Sequence, residues 1–440
     1  MNDPLPWTQL DARPIPAWYP QAKFGIFIHW GLFSVPAWRT VSDELFGGYA
    51  EWYYASVYGN YRNADQGYHE ATWGQDFAYR DFAPLFTAEH FDPADWADLF
   101  RRAGARYVVL TSKHHDGYCL WPTGNPHKAG WNSGDVGPKR DLLGDLAAAV
   151  RAEGMRMGLY YSMPEWETHP SHRCNGGYFI PERDVERFGM NPADYPEEIL
   201  HAQWRELNEK YQPSVIYTDG GEWDLDEDYT RSRELLSWLY REAPNRDEVV
   251  VNDRMHVGMP GQHGDYFSTE YSDIEGYGAR HPWEESRGIG QSYGYNRAET
   301  LDDYSDAAEL LDLLVSTVGR GGNLLLNVGP KSDGTIPAIQ RQRLEKIGAW
   351  LDANGEAIFD TEPLYLALAE GAYAVERDGV VYLLATSDAP EVVELPWAVT
   401  RAVDVATGTP LATEGARIAL PTPRSFPCAT ACTVEGRNLP

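Results

Sequence analysis

Short apolar runs alternate with amphipathic stretches along most of the chain, and that alternation predicts its elements. Lys23 to Trp30 reads as a strand ending in His29. Asp92 caps a helix that has Pro93 at its first position, carries Trp96, Leu99, Phe100 and Ala103 on one face, and stops at Gly104. Tyr107 to Leu110 is the next strand, and it runs into Thr111-Ser112-Lys113-His114-His115-Asp116-Gly117. A helix over about 142–153, closed by Gly154, leads to the strand Arg156 to Ser162. Residues 163–195 are rich in Pro, His and charge and read as an excursion. A helix over 196–210 then leads to Ser214-Val215-Ile216-Tyr217-Thr218, a strand that delivers Asp219 followed by Gly220 and Gly221. A further helix over 230–241 precedes Val249 to Val251 and the polar triplet Asn252-Asp253-Arg254.

The spacing then changes. Asp265 to Tyr271 reads as a strand with too little chain before it for a packed helix, and another strand is predicted around Gly290 to Tyr295. A helix over 301–318 precedes the strand Asn323 to Val328, and a last helix over 337–352 carries Leu344, Ile347, Trp350 and Leu351 on one face. Eight buried strands, most joined by helices of crossover length, predict an α/β fold: a (β/α)8-like barrel with one or two helices missing. After residue 357 two β-patterned runs flank Asp378-Gly379, a hairpin signal, and short strands follow. The expected organisation is a catalytic barrel over 1–356 and a small C-terminal β-sandwich over 357–440.

In such a barrel His29, His114, His115, Tyr161, Asp219, Arg254 and Glu270 all fall at C-terminal strand ends, the rim where active sites are built. Asp-Gly after a strand is by itself usually only a turn. Polar residues ending six strands are not explained by six independent turns.

Charge narrows the chemistry. With 37 Lys and Arg against 66 Asp and Glu, the formal charge is −29, and no basic face for nucleic acid is visible. The same balance disfavours a polyanionic substrate and leaves uncharged ones open. The 16 Trp and 27 Tyr lie among polar residues, which suits stacking on sugar rings. Cys119, Cys174, Cys428 and Cys432 are too few and scattered for a disulfide framework. The chain shows neither a basic-then-apolar leader nor a run long enough to cross a bilayer, so a cytoplasmic protein without a membrane partner is expected. Oligomeric state is left open.

Asp219 and Glu270 are the two strong carboxylate candidates on the rim. Adjacent His114 and His115 point to opposite faces of a regular strand, and no metal-ligand spacing, phosphate loop, nucleophile elbow or Cys-His arrangement stands out. No metal and no cofactor are expected. Two carboxylates among aromatics and histidines are what glycoside hydrolysis requires, one to attack the anomeric carbon and one to protonate the departing oxygen.

The motifs Ala22 to Gly31 (AKFGIFIHWG), Glu51-Trp52-Tyr53, Lys113 to Gly117, Gly158 to Ser162, Tyr217 to Gly220, Val251 to Arg254 and Gly322 to Pro330 form a long ordered series. From about Trp18 to about residue 360 the chain resembles the α-L-fucosidases of glycoside hydrolase family 29. The resemblance implies an exo-acting, retaining, cofactor-free hydrolase that removes terminal α-L-fucose from glycans or glycosides by double displacement. It implies Asp219 as nucleophile and Glu270 as acid/base, with Glu284 the main rival for the second role and Glu275 a weaker one. It carries sugar binding onto His29, Glu51, Trp52, His114, His115, Tyr161 and Arg254. Many members have Trp where this chain has Tyr217, which shares a strand face with Asp219 and is expected to touch the sugar. That departure, and the Gly-rich loop 255–265, leave aglycone and linkage preference open. Two alternatives stand beside this reading: the same chemistry on a fucose-like sugar such as α-L-galactose, and a barrel that binds glycans without hydrolysing them.

Overall fold

The computed structural model describes residues 3–42, 44, 47–58, 65–168, 190–221, 223–272 and 281–436. Eight parallel strands form one curled sheet: β1 Phe24–Ile28, β2 Tyr107–Lys113, β3 Arg156–Ser162, β4 Val215–Asp219, β5 Val250–Val251, β6 Phe267–Glu270, β7 Trp283–Gly288 and β8 Asn323–Val328. Their order is β5-β4-β3-β2-β1-β8-β7-β6. A parallel bridge between Asn252 and Tyr266 joins the two outermost strands. Beside it Asp265 N donates to Val251 O (2.9 Å) and Val251 N donates to the Asp265 carboxylate (2.9 Å). This seam closes the barrel that the strand pattern predicts.

Helices cover the outer face: α1 Pro93–Arg102, α2 Leu142–Ala152, α3 Ala202–Tyr211, α4 Ser232–Glu242, α5 Ala307–Gly319 and α6 Ala338–Asn354. Asp92 caps α1 as the sequence implies, accepting from the backbone N–H groups of Ala94 and Asp95. The segment ahead of α3 is a π-turn over Pro196–His201 rather than regular helix. Residues 252–266, between β5 and β6, contain no helix, in line with an incomplete outer ring.

Strand periodicity sorts the core into two layers. Phe27, Tyr107, Val109, Tyr160, Val215, Tyr217, Val250, Tyr266 and Leu325 fill the barrel interior. Their neighbours Ile26, Ile28, Val108, Leu110, Leu159, Tyr161, Ile216, Val251, Leu324 and Leu326 pack outward in the cluster shared with the helices.

The seventh strand differs from the expected one. It runs over Trp283–Gly288, and the segment 290–295 is the loop that follows it. Trp-Glu-Glu-Ser-Arg-Gly hides a buried strand because it carries no apolar run, and the partners of its buried Glu285 carboxylate are Arg287 and Thr269.

C-terminal to the barrel, β9 Glu362–Pro363, β10 Ala372–Arg377, β11 Val380–Ala385, β12 Val392–Glu394, β13 Ala398–Asp404, β14 Thr413–Glu414, β15 Arg417–Ala419 and β16 Cys428–Glu435 form two antiparallel sheets. Their orders are β13-β16-β11-β10-β9 and β12-β15-β14. Val381 and Leu383 face the small core shared by the two sheets, with Val393 and Ile418 opposite. The alternate residues Tyr382 and Leu384 join the large barrel cluster. Cys119, Cys428 and Cys432 are buried free thiols, and Cys174 lies outside the described residues. Among the described residues no helix is long and apolar enough to cross a membrane.

Candidate active site

At the C-terminal rim a cavity is lined by Phe27, His29, Tyr49, Glu51, Trp52, His114, Tyr160, Tyr217, Asp219, Arg254, Glu270, Ser286 and Tyr293. Asp219 ends β4. Its Oδ2 accepts from the Tyr160 hydroxyl (2.8 Å) and lies 3.4 Å from His115 Nε2, and its Oδ1 lies 3.6 Å from Arg254 Nη2. Glu270 ends β6. Its Oε1 accepts from the Tyr49 hydroxyl (2.8 Å) and its Oε2 from Arg254 Nη1 (3.2 Å). One guanidinium therefore spans both carboxylates, and each carboxylate also holds a phenol.

The triplet after β5 builds this arrangement. Asn252 Oδ1 takes the backbone N–H and hydroxyl of Thr218 (2.8 and 2.6 Å), and its amide returns to Thr218 O (2.9 Å), which pins β4 one residue before Asp219. Asp253 Oδ1 takes the N–H and hydroxyl of Ser268 (2.9 and 2.7 Å), which pins β6 two residues before Glu270. Arg254 then reaches over both strand ends. The close backbone needs Gly220: a Cβ there would lie 2.7 Å from Met163 Cβ and 2.9 Å from Met255 O.

The other wall is made of neutral imidazoles. His29 Nδ1 meets Asn327 Oδ1 (2.7 Å), and the Asn327 amide donates to Tyr293 O (2.7 Å), so the amide is oriented and His29 carries its proton on Nδ1. Burial outweighs that hydrogen bond and pushes the His29 pKa down to about 4, which leaves Nε2 a lone pair facing the cavity. Burial also holds His114 and His115 well below the ordinary histidine range. His114 Nδ1 is buried with no hydrogen-bond partner among the described residues. Glu51 Oε2 accepts from Gly294 N (2.8 Å) and the Ser292 hydroxyl (3.2 Å), and burial raises its pKa to about 7 against those donors. Trp52 is half-buried, with its ring edge-on to His115.

The cavity thus gathers His29, Glu51, Trp52, His114, Tyr217, Asp219, Arg254 and Glu270, and His115 reaches Asp219. Tyr161 is not in it. Register pairs Tyr160 with Tyr217 and Ser162 with Asp219, so Tyr160 faces inward and Tyr161 outward, where its hydroxyl meets Lys113 Nζ (3.0 Å) and Gln203 (2.9 Å). Tyr161, expected at the site, is therefore outside it, and its neighbour Tyr160 lines the cavity. His114 and His115 also depart from the expectation of opposite faces. A register shift after Thr111 turns Lys113 outward beside Tyr161, and the strand ends there; the two rings lie side by side with centroids 4.2 Å apart, His114 in the cavity wall and His115 against Asp219.

Glu284, the rival acid, lies outside the cavity. It is fully buried in the barrel interior, where the hydroxyls of Tyr19 (3.1 Å) and Tyr107 donate to its Oε2. Glu275 lies outside the described residues. Tyr49, Tyr160, Tyr293, Phe27 and Ser286 went unnoticed in the sequence. The available signal for Tyr160 was strand parity counted back from Asp219, and Tyr49 and Tyr293 stand on loops that carry no such periodicity.

The family model described as alpha-L-fucosidase matches residues 4–356. Tissue alpha-L-fucosidase of Homo sapiens is 42% identical over 358 residues, which is 81% of this chain and 72% of that protein. Alpha-L-fucosidase of Dictyostelium discoideum is 41% identical over 362 residues, 81% of this chain and 74% of that protein. Among solved structures, Thermotoga maritima alpha-fucosidase in complex with a mechanism-based inhibitor superposes with a TM-score of 0.81 at 37% identity, covering 97% of this chain and 99% of that one. The same enzyme in complex with fucose gives a TM-score of 0.81 at 35% identity over the same shares. A match that spans the whole barrel, with relatives above two-fifths identity, shows that the chain belongs to the alpha-L-fucosidase family.

Proposed function

We propose that this protein is an exo-acting retaining α-L-fucosidase, with Asp219 as nucleophile and Glu270 as acid/base. The observation that carries the assignment is the pair of carboxylates at the ends of β4 and β6, spanned by Arg254 and lining the rim cavity. In the first step an Asp219 oxygen attacks the anomeric carbon while Glu270 gives its proton to the leaving oxygen, and a glycosyl ester forms as the glycosidic bond breaks. In the second step Glu270 takes a proton from water, the water oxygen attacks the same carbon, and Asp219 leaves as carboxylate with net retention. Tyr160 and Arg254 place a phenol proton and a positive charge beside Asp219, the surroundings that a carboxylate nucleophile requires. His29, His114 and Glu51 supply hydrogen-bonding groups for ring hydroxyls, and Phe27, Tyr217 and Tyr293 supply apolar surface. The substrate class is a glycan or glycoside ending in α-L-fucose.

The test is hydrolysis of 4-nitrophenyl α-L-fucoside by the wild type and by Asp219→Gly, with and without azide. Wild type releases nitrophenol, the variant loses orders of magnitude in kcat, and azide restores release with β-L-fucosyl azide as product. Near-normal turnover by the variant would overturn the nucleophile assignment. Faster turnover of the matching α-L-galactoside would overturn the sugar, and fucose binding without turnover would overturn hydrolysis.

A further inference from the structure

His115 touches the nucleophile through one ring nitrogen and a serine through the other. Its Nδ1 lies 2.6 Å from Ser162 Oγ, and Ser162 Oγ lies 2.6 Å from the carbonyl oxygen of Pro164. A carbonyl oxygen only accepts, and a serine hydroxyl has one proton. The serine proton is therefore committed to Pro164 O, and the contact to His115 is made by an imidazole N–H donating to Ser162 Oγ. Turning the hydroxyl toward His115 would instead leave two oxygens facing each other with no proton between them.

The imidazole is neutral on the same geometry. It is buried against Trp52, Trp166, Trp223 and His114, and the charged or titratable groups facing it are Asp219, Tyr160, Lys113, His29 and Arg254. Burial disfavours the imidazolium most, and His29, Lys113 and Arg254 add to it.

We propose that Ser162 is a positioning residue that fixes His115 as the Nδ1–H tautomer, so that Nε2 presents a lone pair beside the nucleophile and accepts a sugar hydroxyl. The role in catalysis rests on the reading of Asp219 as nucleophile, whereas the tautomer does not. With Nε2 bare, His115 places no proton on Asp219 Oδ2, and the hydrogen bond from Tyr160 is not joined by a second from the ring. A proton on Nε2, only 3.4 Å from Oδ2, would draw charge out of the carboxylate before attack and would remove the acceptor for the hydroxyl. Ser162 is suited to this task because it is fully buried and is the register partner of Asp219 on the neighbouring strand, so the relay is as rigid as the sheet.

The experiment is a 15N spectrum of the histidine ring nitrogens in the full-length, histidine-labelled protein, with His115 assigned from the signals missing in His115→Gln. The expected wild-type spectrum has a proton-bearing Nδ1 and a bare Nε2. Ser162→Ala moves the proton to Nε2, lowers kcat about tenfold, as expected for the loss of one oriented hydrogen bond, and raises KM. Ser162→Thr, which keeps the hydroxyl, restores the wild-type spectrum and kcat. A proton on Nε2, or on both nitrogens, in the wild type would overturn the proposal, as would a Ser162→Ala protein with unchanged spectrum and kcat. Were Ser162→Ala not to fold, the wild-type and Ser162→Thr spectra would still decide. A protein inactive on fucosides yet showing the expected spectrum would sink the functional reading and leave the tautomer standing.

Discussion

Two adjacent tyrosines on β3 have separate jobs because successive strand residues face opposite sides. Tyr160 donates to the Asp219 carboxylate inside the barrel, and Tyr161 joins a buried polar cluster outside it. That cluster is an ion pair network in which Lys113 and Lys128 share Glu165. Removing one hydroxyl from each tyrosine should separate kinetics from stability. Tyr160→Phe is expected to lower kcat about ten- to a hundredfold, since a hydrogen bond to a charged group contributes about 1.5–3 kcal/mol. Tyr161→Phe is expected to lower the melting temperature while kcat stays within about twofold, because the group it loses meets Lys113 and Gln203 rather than substrate. Steady-state kinetics beside thermal melts checks both, and an equal kinetic loss in the two variants would refute the assignment of faces.

Among the elements, the segment after β5 does the most to shape the site. Asn252 holds β4, Asp253 holds β6, and Arg254 spans the acids those strands carry. Each of the three was visible in the sequence as a polar residue at a strand end, but which neighbour each would hold depended on strand order. The loop after β7 does similar work from the other side, where Ser292 and Gly294 seat Glu51. Close strand ends leave no room beside Asp219. Gly220→Ala should therefore push the carboxylate off its partners and lower kcat/KM by about tenfold or more, with a loss of stability of order 1–3 kcal/mol for an overpacked site. Kinetics of that variant indistinguishable from wild type would show that the Met163 side chain and the Met255 carbonyl give way freely.

Over the whole molecule, the barrel interior carries a buried acid beneath the site. Glu284 is held by phenols from β2 and from the N-terminal segment, while burial, the larger effect, raises its pKa from 4.5 to about 7. The native state therefore keeps a proton that the unfolded chain has released between those values. Stability from this group is full below the unfolded pKa and is lost as pH rises through the folded one. Glu284→Gln cannot ionise, so it should gain on wild type by on the order of 2 kcal/mol between about pH 5 and pH 8, read from denaturant melts at the two values. A constant difference between the two proteins across that range would mean that Glu284 does not titrate there. Because the carboxyl faces Tyr19 and Tyr107 and lies outside the catalytic cavity, the same variant should keep its turnover.

Seven of the eight strands, the helices of the outer ring, the barrel and the rim that carries Asp219, Arg254 and Glu270 were legible along the chain, because periodicity, caps and apolar runs act within a few residues. Register and long-range contact, which exist only once the sheet has closed, settled the rest. The end of β2 brought both histidine rings to one side, parity chose Tyr160 over Tyr161, and the polar strand β7 was hidden until its partners were in place. The cavity tyrosines at 49 and 293 arrive on loops from opposite ends of the barrel chain, and the neutral forms of the histidines come from burial. Local sequence sets what each segment becomes. Which side chains then share one cavity is set by closing the sheet upon itself.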